Sequence, residues 1–247
     1  MNAPDGYRLV GRGALVRIGY ADFLRHWLSC LGEELPQGAR RVPGGRGGSV
    51  RIALHDGGAA YVRRYRHGGL LGSLLGEIYV GCSPRPWREL AATQAARRAG
   101  ICAPEVLAAI AEPLGGPWGR LAYRGVLVTR ELSLPRNLRD ALVASGSDAE
   151  VDRWLEIVLD AVSRLHRAGI EHRDLNFTNL LVGENPGDGL AIIDFDGARI
   201  SAGPVGTLAR RMARRRLARS LAKLPGGPWS RDRAYRRLDA IAGTMGA

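Results

Sequence analysis

Two short polar segments hold the carboxylate and carboxamide side chains that could carry chemistry. Residues 172–179 read HRDLNFTN, and residues 192–197 read IIDFDG. Asn179 precedes the apolar run LLV and Asp194 follows the apolar run LAII, so a hairpin of these strands would bring both side chains to neighbouring ends. Hard oxygen ligands without a surplus of His or Cys favour Mg²⁺ over zinc. Asp174 is then free to accept a proton from an incoming hydroxyl group.

The alternative for these segments is a capped polar turn without chemistry. In that case the Asp and Asn side chains would only accept and donate local hydrogen bonds. Within the cluster, His172 and Arg173 are expected to brace the loop.

A glycine-rich turn and a charged pair could bind a phosphorylated substrate. In GGRGGS, residues 44–49, glycines would let backbone N–H groups approach phosphate oxygens. A plain hairpin turn is the alternative, because the chain holds 34 glycines. Arg63 follows the apolar AYV on a predicted strand, and Glu89 on a predicted helix is a suitable carboxylate partner. The alternative for this pair is a surface arginine and an exposed helix glutamate.

Hydrophobic runs between Gly-rich breaks predict antiparallel hairpins in the first half of the chain. The predicted strands cover residues 14–18, 49–54, 59–65 and 125–132. A helix is predicted over residues 83–100, between the third and fourth strands. Ser83 can cap this helix, Pro84 fits its first position and Gly100 can end it.

The second half of the chain is predicted to be mostly helical. A helix over residues 147–169 opens with a capping box of Ser147 and Glu150. Its apolar face is predicted to consist of Val151, Trp154, Leu155, Val158, Leu159, Val162, Leu165 and His166. Two strands, 180–182 and 190–195, and then a basic helix over about 205–224 are predicted to follow.

These elements predict an α+β fold of two lobes with a cleft between them. Residues 1–131 form the small β-rich N-lobe with one helix, which is the candidate nucleotide-binding lobe. Residues 132–247 form the mostly helical C-lobe, which carries the candidate catalytic and acceptor-binding residues. Clefts between lobes are a usual place for a ligand.

The composition describes a basic chain whose positive charge is concentrated in one segment. The net charge is +12, from 36 Lys and Arg against 24 Asp and Glu. Residues 201–223 contain six Arg and one Lys and no acid, so they supply +7 of this charge. Such a patch suits phosphate groups on nucleic acid, anionic lipid or a phosphorylated glycolipid. A solvated arginine-rich helix is the alternative.

The cysteine content and the lack of long apolar runs indicate a cytoplasmic location. The three cysteines are odd in number and widely spaced, which is typical of a reducing compartment. No run reaches the roughly 18 to 20 apolar residues that span a bilayer, and the N-terminal segment has no hydrophobic signal region. We therefore expect neither secretion by a classical signal nor an integral membrane protein.

Several of these segments together resemble a known family. HRDLNFTN with IIDFDG resembles the catalytic loop and metal motif of the protein-kinase-like fold. The segments YVRRYRHGGLLGSLLGEIYVG, RPWRELAATQAARRAGICAPEVLAA and RLARSLAKL resemble the 3-deoxy-D-manno-octulosonate (Kdo) kinases of the lipopolysaccharide kinase family. The resemblance runs from about residue 40 to residue 224, and the stretch RRYRHGGLLG is what indicates this subfamily.

The resemblance implies roles for the candidate residues. It implies Asp174 as catalytic base, Gly47 and Gly48 in the loop that binds ATP, and Glu89 as the helix carboxylate. It also implies that Mg²⁺ is held by Asn179 and Asp194. Arg63 stands where kinases at large use lysine, and a guanidinium can clamp phosphates with two hydrogen bonds. Asn176 stands where a protein kinase would carry lysine, so the resemblance favours a sugar as the acceptor.

The function implied is ATP-dependent phosphorylation of Kdo, at its 4-hydroxyl, on a Kdo-lipid A precursor. The basic helix would then contact phosphates of the acceptor or the anionic surface of the inner membrane on its cytoplasmic face, which makes the protein peripheral. No nucleic-acid partner is expected. The alternatives are a kinase of the same fold for a lipopolysaccharide heptose or a protein serine, and a non-catalytic pseudokinase that binds acidic lipid or RNA.

Overall fold

The computed structural model describes most of the chain, and its contacts group the residues into two units. The described residues are 3–11, 13–42, 48–67, 76–115, 121–225 and 230–245. The first unit combines Met1–Ala91 with Pro104–Leu132, and the second combines Ala92–Ala103 with Ser133–Ala247. The main boundary thus lies one residue beyond the predicted division after residue 131. Residues 92–103 group with the later unit although they precede that division.

The first unit is built on antiparallel strands. The strands are β1 (Tyr7–Val10), β2 (Ala14–Arg17), β3 (Arg40–Val42), β4 (Ser49–Ala53), β5 (Ala59–Arg64), β6 (Ile78–Val80), β7 (Val106–Pro113) and β8 (Ala122–Arg130). Their order in the sheet is β1-β2-β7-β8-β5-β4-β3, and β6 also pairs with β8. The four strands predicted from the sequence correspond to β2, β4, β5 and β8, with ends that differ by at most three residues.

The sequence analysis does not predict β7, which lies in the middle of the sheet. Its sequence VLAAIAEP is rich in alanine and shows no alternation of polar and apolar residues. The structure explains this pattern because both faces of the strand are covered. Leu107, Ala108 and Ile110 pack in one apolar cluster, whereas Val106 and Ala109 pack in another. A strand that is buried on both faces needs no polar side.

The helices of the first half include the predicted inserted helix. A short helix α1 covers Leu24–Ser29, and a longer helix α2 covers Arg85–Arg98. The helix predicted over residues 83–100 is therefore confirmed, with a start two residues later. Gly100 follows α2 with a φ of +74°, a left-handed conformation that favours glycine at the end of a helix.

The second unit is mostly helical, as predicted. Its helices are α3 (Leu138–Ala144), α4 (Asp148–Arg167), α5 (Thr207–Leu221) and α6 (Arg231–Met245). Its strands are β9 (Arg136–Asn137), β10 (Ile170–Glu171), β11 (Leu180–Val182), β12 (Leu190–Ile192) and β13 (Arg199–Ile200). Strands β12, β11 and β9 form one small sheet, and β10 pairs with β13. A 3-10 helix, Phe177–Asn179, precedes β11.

Helix α4 is the central helix of this unit's core. Ser147 caps it by accepting a hydrogen bond from the backbone N–H of Glu150 at 3.2 Å. Seven of the eight residues predicted for its apolar face are buried, and Val151 is half-buried against the same cluster. The predicted basic helix is α5. In the described part of the chain, no helix combines the length and apolar character needed to cross a membrane.

Candidate active site

His172 ties the start of the polar loop 172–179 to the end of β12. The side chain is only 1% exposed, and its Nε2 lies 3.1 Å from the backbone oxygen of Ile193. A carbonyl oxygen can only accept, so Nε2 carries the proton. Burial lowers the pKa of His172, which keeps the ring neutral. The ring also packs on Phe195, with centroids 5.1 Å apart. His172 therefore braces the loop, as predicted.

Asn176 fixes the middle of the loop by capping the 3-10 helix. Its Oδ1 accepts hydrogen bonds from the backbone N–H groups of Thr178 at 2.9 Å and Asn179 at 3.2 Å. Its Nδ2 donates to the backbone oxygen of Asp174 at 3.1 Å. The sequence analysis linked Asn176 to a sugar acceptor. The structure gives this side chain a local role in loop geometry.

Asn179 and Asp174 are held together by a direct hydrogen bond. The Nδ2 atom of Asn179 donates to the backbone oxygen of Asp174 at 2.8 Å. Because only the nitrogen of the amide can donate, this bond fixes which way the amide points. Among the described residues no donor reaches Asn179 Oδ1, so that oxygen is available to a cation. The Asp174 side chain is exposed, as a base that meets an external substrate must be.

The hairpin of β11 and β12 brings Asp194 beside Asn179. Leu180 pairs with Ile192, and the N–H of Ile193 donates to the backbone oxygen of Asn179 at 2.9 Å. Asp194 is the next residue and has a φ of +60°. It is the sole non-glycine residue with a positive φ among those described. Backbone strain of this kind is concentrated at functional sites.

The donor set at this end of the hairpin fits Mg²⁺. It consists of one amide oxygen, from Asn179, and one carboxylate, from Asp194. Mg²⁺ in nucleotide sites is bound by one or two protein oxygens, with phosphate oxygens and water completing the octahedron. In the described part of the chain no three His, Cys, Asp or Glu side chains gather into a metal site. The amide and carboxylate oxygens of Asn179 and Asp194 are of the ligand types that Mg²⁺ takes.

In the first unit, Arg63 and Glu89 form the predicted ion pair. The Nη2 atom of Arg63 lies 2.8 Å from both carboxylate oxygens of Glu89. Glu89 lies on α2 and is only 4% exposed. Tyr65 donates a hydrogen bond to the same carboxylate. The sequence analysis missed Tyr65, although it lies two residues after Arg63 and hence on the same face of the chain.

The glycine-rich turn connects β3 to β4 and ends beside Arg63. Val42 pairs with Ser49 across this hairpin, and Ser49 in turn pairs with Arg63 on β5. Gly48 has a φ of +68°, which favours glycine at that position. Gly47 lies outside the described residues, as do residues 68–72, the second half of the stretch RRYRHGGLLG. The end of the turn and the arginine are thus neighbours on one sheet.

Comparison with known proteins places the chain in a family. The model of the "Lipopolysaccharide kinase (Kdo/WaaP) family" matches residues 38–231. A "3-deoxy-D-manno-octulosonic acid kinase" of Stenotrophomonas maltophilia (strain R551-3) is 32% identical over 196 residues, which are 76% of this chain and 73% of the relative. A protein of the same name from Xylella fastidiosa (strain M12) is 30% identical over 201 residues, covering 80% and 75% of the two chains.

A solved structure shares the fold. The structure described as "WaaP in complex with acyl carrier protein" superposes with a TM-score of 0.59 and 20% sequence identity, covering 94% of this chain and 88% of that chain. This likeness confirms the predicted α+β, protein-kinase-like fold. The chain therefore belongs to the lipopolysaccharide kinase (Kdo/WaaP) family and is a phosphotransferase of lipopolysaccharide biosynthesis that has an alcohol group as acceptor.

Proposed function

We propose that the protein is an ATP-dependent, Mg²⁺-requiring kinase that phosphorylates the 4-hydroxyl of Kdo on a Kdo-lipid A precursor. The observation that carries the proposal is the arrangement of Asp174, Asn179 and Asp194, which the polar loop and the hairpin hold together. The relatives named 3-deoxy-D-manno-octulosonic acid kinase support Kdo as the acceptor. The assignment of the 4-hydroxyl as the acceptor group rests on the resemblance of the sequence to that family.

Asp174 acts as the base for the acceptor hydroxyl. A carboxylate oxygen of Asp174 accepts the hydroxyl proton while the acceptor oxygen bonds to the γ-phosphorus and the bond to the leaving ADP oxygen breaks. In a loose transition state the residue chiefly orients the hydroxyl group. The hydrogen bonds from Asn179 and Asn176 to its backbone oxygen hold Asp174 in place for this task.

Asn179 and Asp194 are the residues that would hold Mg²⁺. When bound, the ion would neutralise charge on the phosphate groups and keep the transferred group in line with the acceptor oxygen. The backbone hydrogen bond between Ile193 and Asn179 keeps the two ligands at a fixed separation. Such preorganisation lowers the cost of binding a small ion with strict geometry.

Arg63, positioned by Glu89, and the turn that contains Gly47 and Gly48 would bind the phosphates of ATP. Glu89 orients the Arg63 guanidinium, and Tyr65 donates a hydrogen bond to the Glu89 carboxylate. An arginine in this position presents a planar fork to phosphate oxygens, whereas a lysine presents a point charge. Ser49 follows Gly48 and pairs with Arg63, so the end of the turn lies next to Arg63 on the sheet.

A stripe of residues on α5 would contact the anionic membrane surface. Leu208, Arg211, Met212, Arg215 and Arg219 follow helical spacing and form what we term the outer stripe. All five are exposed, and the apolar members Leu208 and Met212 are 75% and 37% exposed. Apolar side chains beside arginines are typical of helices that lie in the membrane interface. The protein would thus work as a peripheral protein on the cytoplasmic face of the inner membrane.

The decisive experiment is mass spectrometry of a Kdo-lipid A precursor after incubation with the protein and Mg-ATP. We expect the mass of one added phosphate group, located on the 4-hydroxyl of Kdo by fragmentation. Removal of Mg²⁺ with a chelator should abolish the product. A heptosylated core acceptor and a basic protein acceptor, tested in parallel, should stay unmodified.

The control variant is Asp174→Asn, which has nearly the same shape and lacks the base. It should lose transfer and keep its affinity for ATP, because the loop is held by the backbone oxygen of residue 174. Turnover near that of the parent protein would show that Asp174 is not the base. Phosphorylation of the heptose or protein acceptor in place of Kdo would refute the proposed acceptor.

A further inference from the structure

A cavity of about 490 Å³ lies among three helices of the second unit. It is lined by Leu159, Asp160, Val162, Ser163, His166 and Arg167 of α4, by Arg210 and Arg214 of α5 and by Ala242 of α6. We term it the α4–α6 pocket. None of these residues belongs to the loop 172–179 or to the hairpin of β11 and β12. Its volume lies in the range of small-molecule sites.

The charged groups in the lining are mostly guanidinium groups. Arg167, Arg210 and Arg214 are set against a single carboxylate, Asp160. That carboxylate is already engaged, because Asp160 Oδ2 lies 2.9 Å from Arg164 Nε. The lining therefore carries an excess of positive charge. Guanidinium groups match phosphate oxygens with paired hydrogen bonds.

The two α5 arginines share one side of the helix, and Asp239 holds one of them, Arg214, in position. Arg210 and Arg214 are four residues apart and so lie on the same side of α5. Arg214 Nη1 lies 2.5 Å from Asp239 Oδ1 of α6, which restricts the guanidinium before any ligand arrives. A guanidinium has five N–H donors, so one bond to Asp239 leaves others for a ligand.

The lowered pKa of the buried His166 also reflects the positive charge around the pocket. Its pKa falls to about 4 because of burial and, next, because of the nearby guanidinium groups of Arg210, Arg214 and Arg216. The imidazole is therefore neutral at physiological pH. A neutral ring beside converging arginines can donate or accept one hydrogen bond without adding further repulsion.

The first turn of α5 lacks the negative charge that helices usually place there. Its N-cap residue, Gly206, offers no side-chain hydrogen bond, and the first turn contains no acidic residue. The fourth residue of the helix is instead Arg210. A helix N-terminus has partial positive charge, so cations there are unfavourable and an anion is stabilising. An anion beside Arg210 would offset the charge of the guanidinium and the partial positive charge of the helix N-terminus.

We propose that the α4–α6 pocket binds a phosphate group. Arg210, Arg214 and Arg167 would donate to the phosphate oxygens, with Ser163 as an additional donor. Where the phosphate is part of a glycolipid, the apolar part of the lining, Leu159 and Val162, would contact its carbon skeleton. Two sources share this chemistry: a phosphate group of the glycolipid acceptor and free inorganic phosphate. The glycolipid source rests on the proposed function, whereas the phosphate site itself does not.

Binding measurements without ATP test the site separately from catalysis. Isothermal titration calorimetry of the full chain would use inorganic phosphate and, in neutral detergent, the Kdo-lipid A precursor before and after phosphatase treatment. We expect Arg210→Gln to weaken binding of the phosphorylated probe about tenfold, the effect of losing one charged hydrogen bond. Arg153→Gln is the matched control, because Arg153 is an exposed arginine of α4 outside the pocket. It should change affinity less than about twofold.

Each outcome decides the proposal. A glycolipid that binds more tightly before phosphatase treatment, with the difference lost in Arg210→Gln, identifies the acceptor as the source. If Arg210→Gln weakens the binding of inorganic phosphate but not that of the glycolipid, the ligand of the pocket is free phosphate. Equal effects of Arg210→Gln and Arg153→Gln on a folded protein would mean that only net charge matters, and no binding of either probe would also overturn the site.

Discussion

At the scale of single residues, Asp194 combines an unfavourable backbone conformation with a side chain that we propose as a Mg²⁺ ligand. Its φ of +60° is tolerated by Asp and Asn but costs most L-residues about 1–2 kcal/mol. We predict that Asp194→Gly and Asp194→Ala both abolish transfer, because each removes the carboxylate. The glycine variant should be the more stable of the two by about 1 kcal/mol. Urea unfolding of both variants measures the difference.

The comparison of two variants isolates the backbone effect. Both lose every contact of the Asp194 carboxylate, so that loss cancels in the difference. Equal stability of the two variants would show that residue 194 carries no backbone strain. Transfer retained by either variant would remove Asp194 from the proposed metal site.

At the scale of secondary-structure elements, β5 directs the side chains of two adjacent arginines to opposite faces of the sheet. Arg63 faces Glu89, whereas Arg64 on the opposite face binds Glu77 at 2.6 Å. We predict that Arg63→Lys raises the KM for ATP about tenfold, because a point charge replaces the planar fork. Steady-state kinetics at saturating acceptor measures this change.

Arg64→Lys is the matched control on the same strand. It makes the same chemical change one residue away and should leave the KM for ATP within about twofold, because its partner Glu77 lies on the other face. Thermal unfolding should show that both variants are folded. Equal KM values for the two variants would argue against Arg63 as the phosphate ligand.

At the scale of the whole molecule, the charge of +12 should attract the protein to anionic surfaces. We predict that the full chain sediments with vesicles that contain phosphatidylglycerol and much less with phosphatidylcholine alone. Arg211→Gln and Arg215→Gln in the outer stripe should each lower the partition coefficient about fivefold, at about 1 kcal/mol per basic residue. Added salt should weaken binding in every case.

An exposed arginine outside the stripe provides the control for this prediction. Arg139 lies on α3, is exposed and has the same charge. If Arg139→Gln weakens vesicle binding as much as Arg211→Gln does, the attraction depends on net charge and the outer stripe has no special role. Binding to neutral vesicles with equal strength would contradict the electrostatic prediction as a whole.

Much of the candidate site could be predicted because its parts are close in the sequence. Asp174 and Asn179 are five residues apart in one loop, and Asp194 follows the partner strand of a short hairpin. The apolar face and the cap of α4 could be predicted for the same reason, because helical periodicity and capping depend on residues a few positions away. Local patterns of this kind are therefore reliable guides to local structure.

Other features depend on contacts between distant segments. The strand β7 was missed because burial on both faces removes the alternation that marks most strands. Tyr65 joins Glu89 across 24 positions, and Arg63 meets the glycine-rich turn only through the pairing of β5 with β4. The pocket that unites His166 with Arg210 exists only once α4, α5 and α6 pack.

The sequence by itself determined the kinase-like motifs, the α+β class and the family, because these depend on residue types at short, fixed spacings. The tertiary structure alone decided that Tyr65 also binds Glu89, what Asn176 does in its loop and which α5 arginines line a pocket. The physical reason is that hydrophobic packing is non-directional and acts between segments far apart in the chain. Such partners become visible only when the core that brings them together has formed.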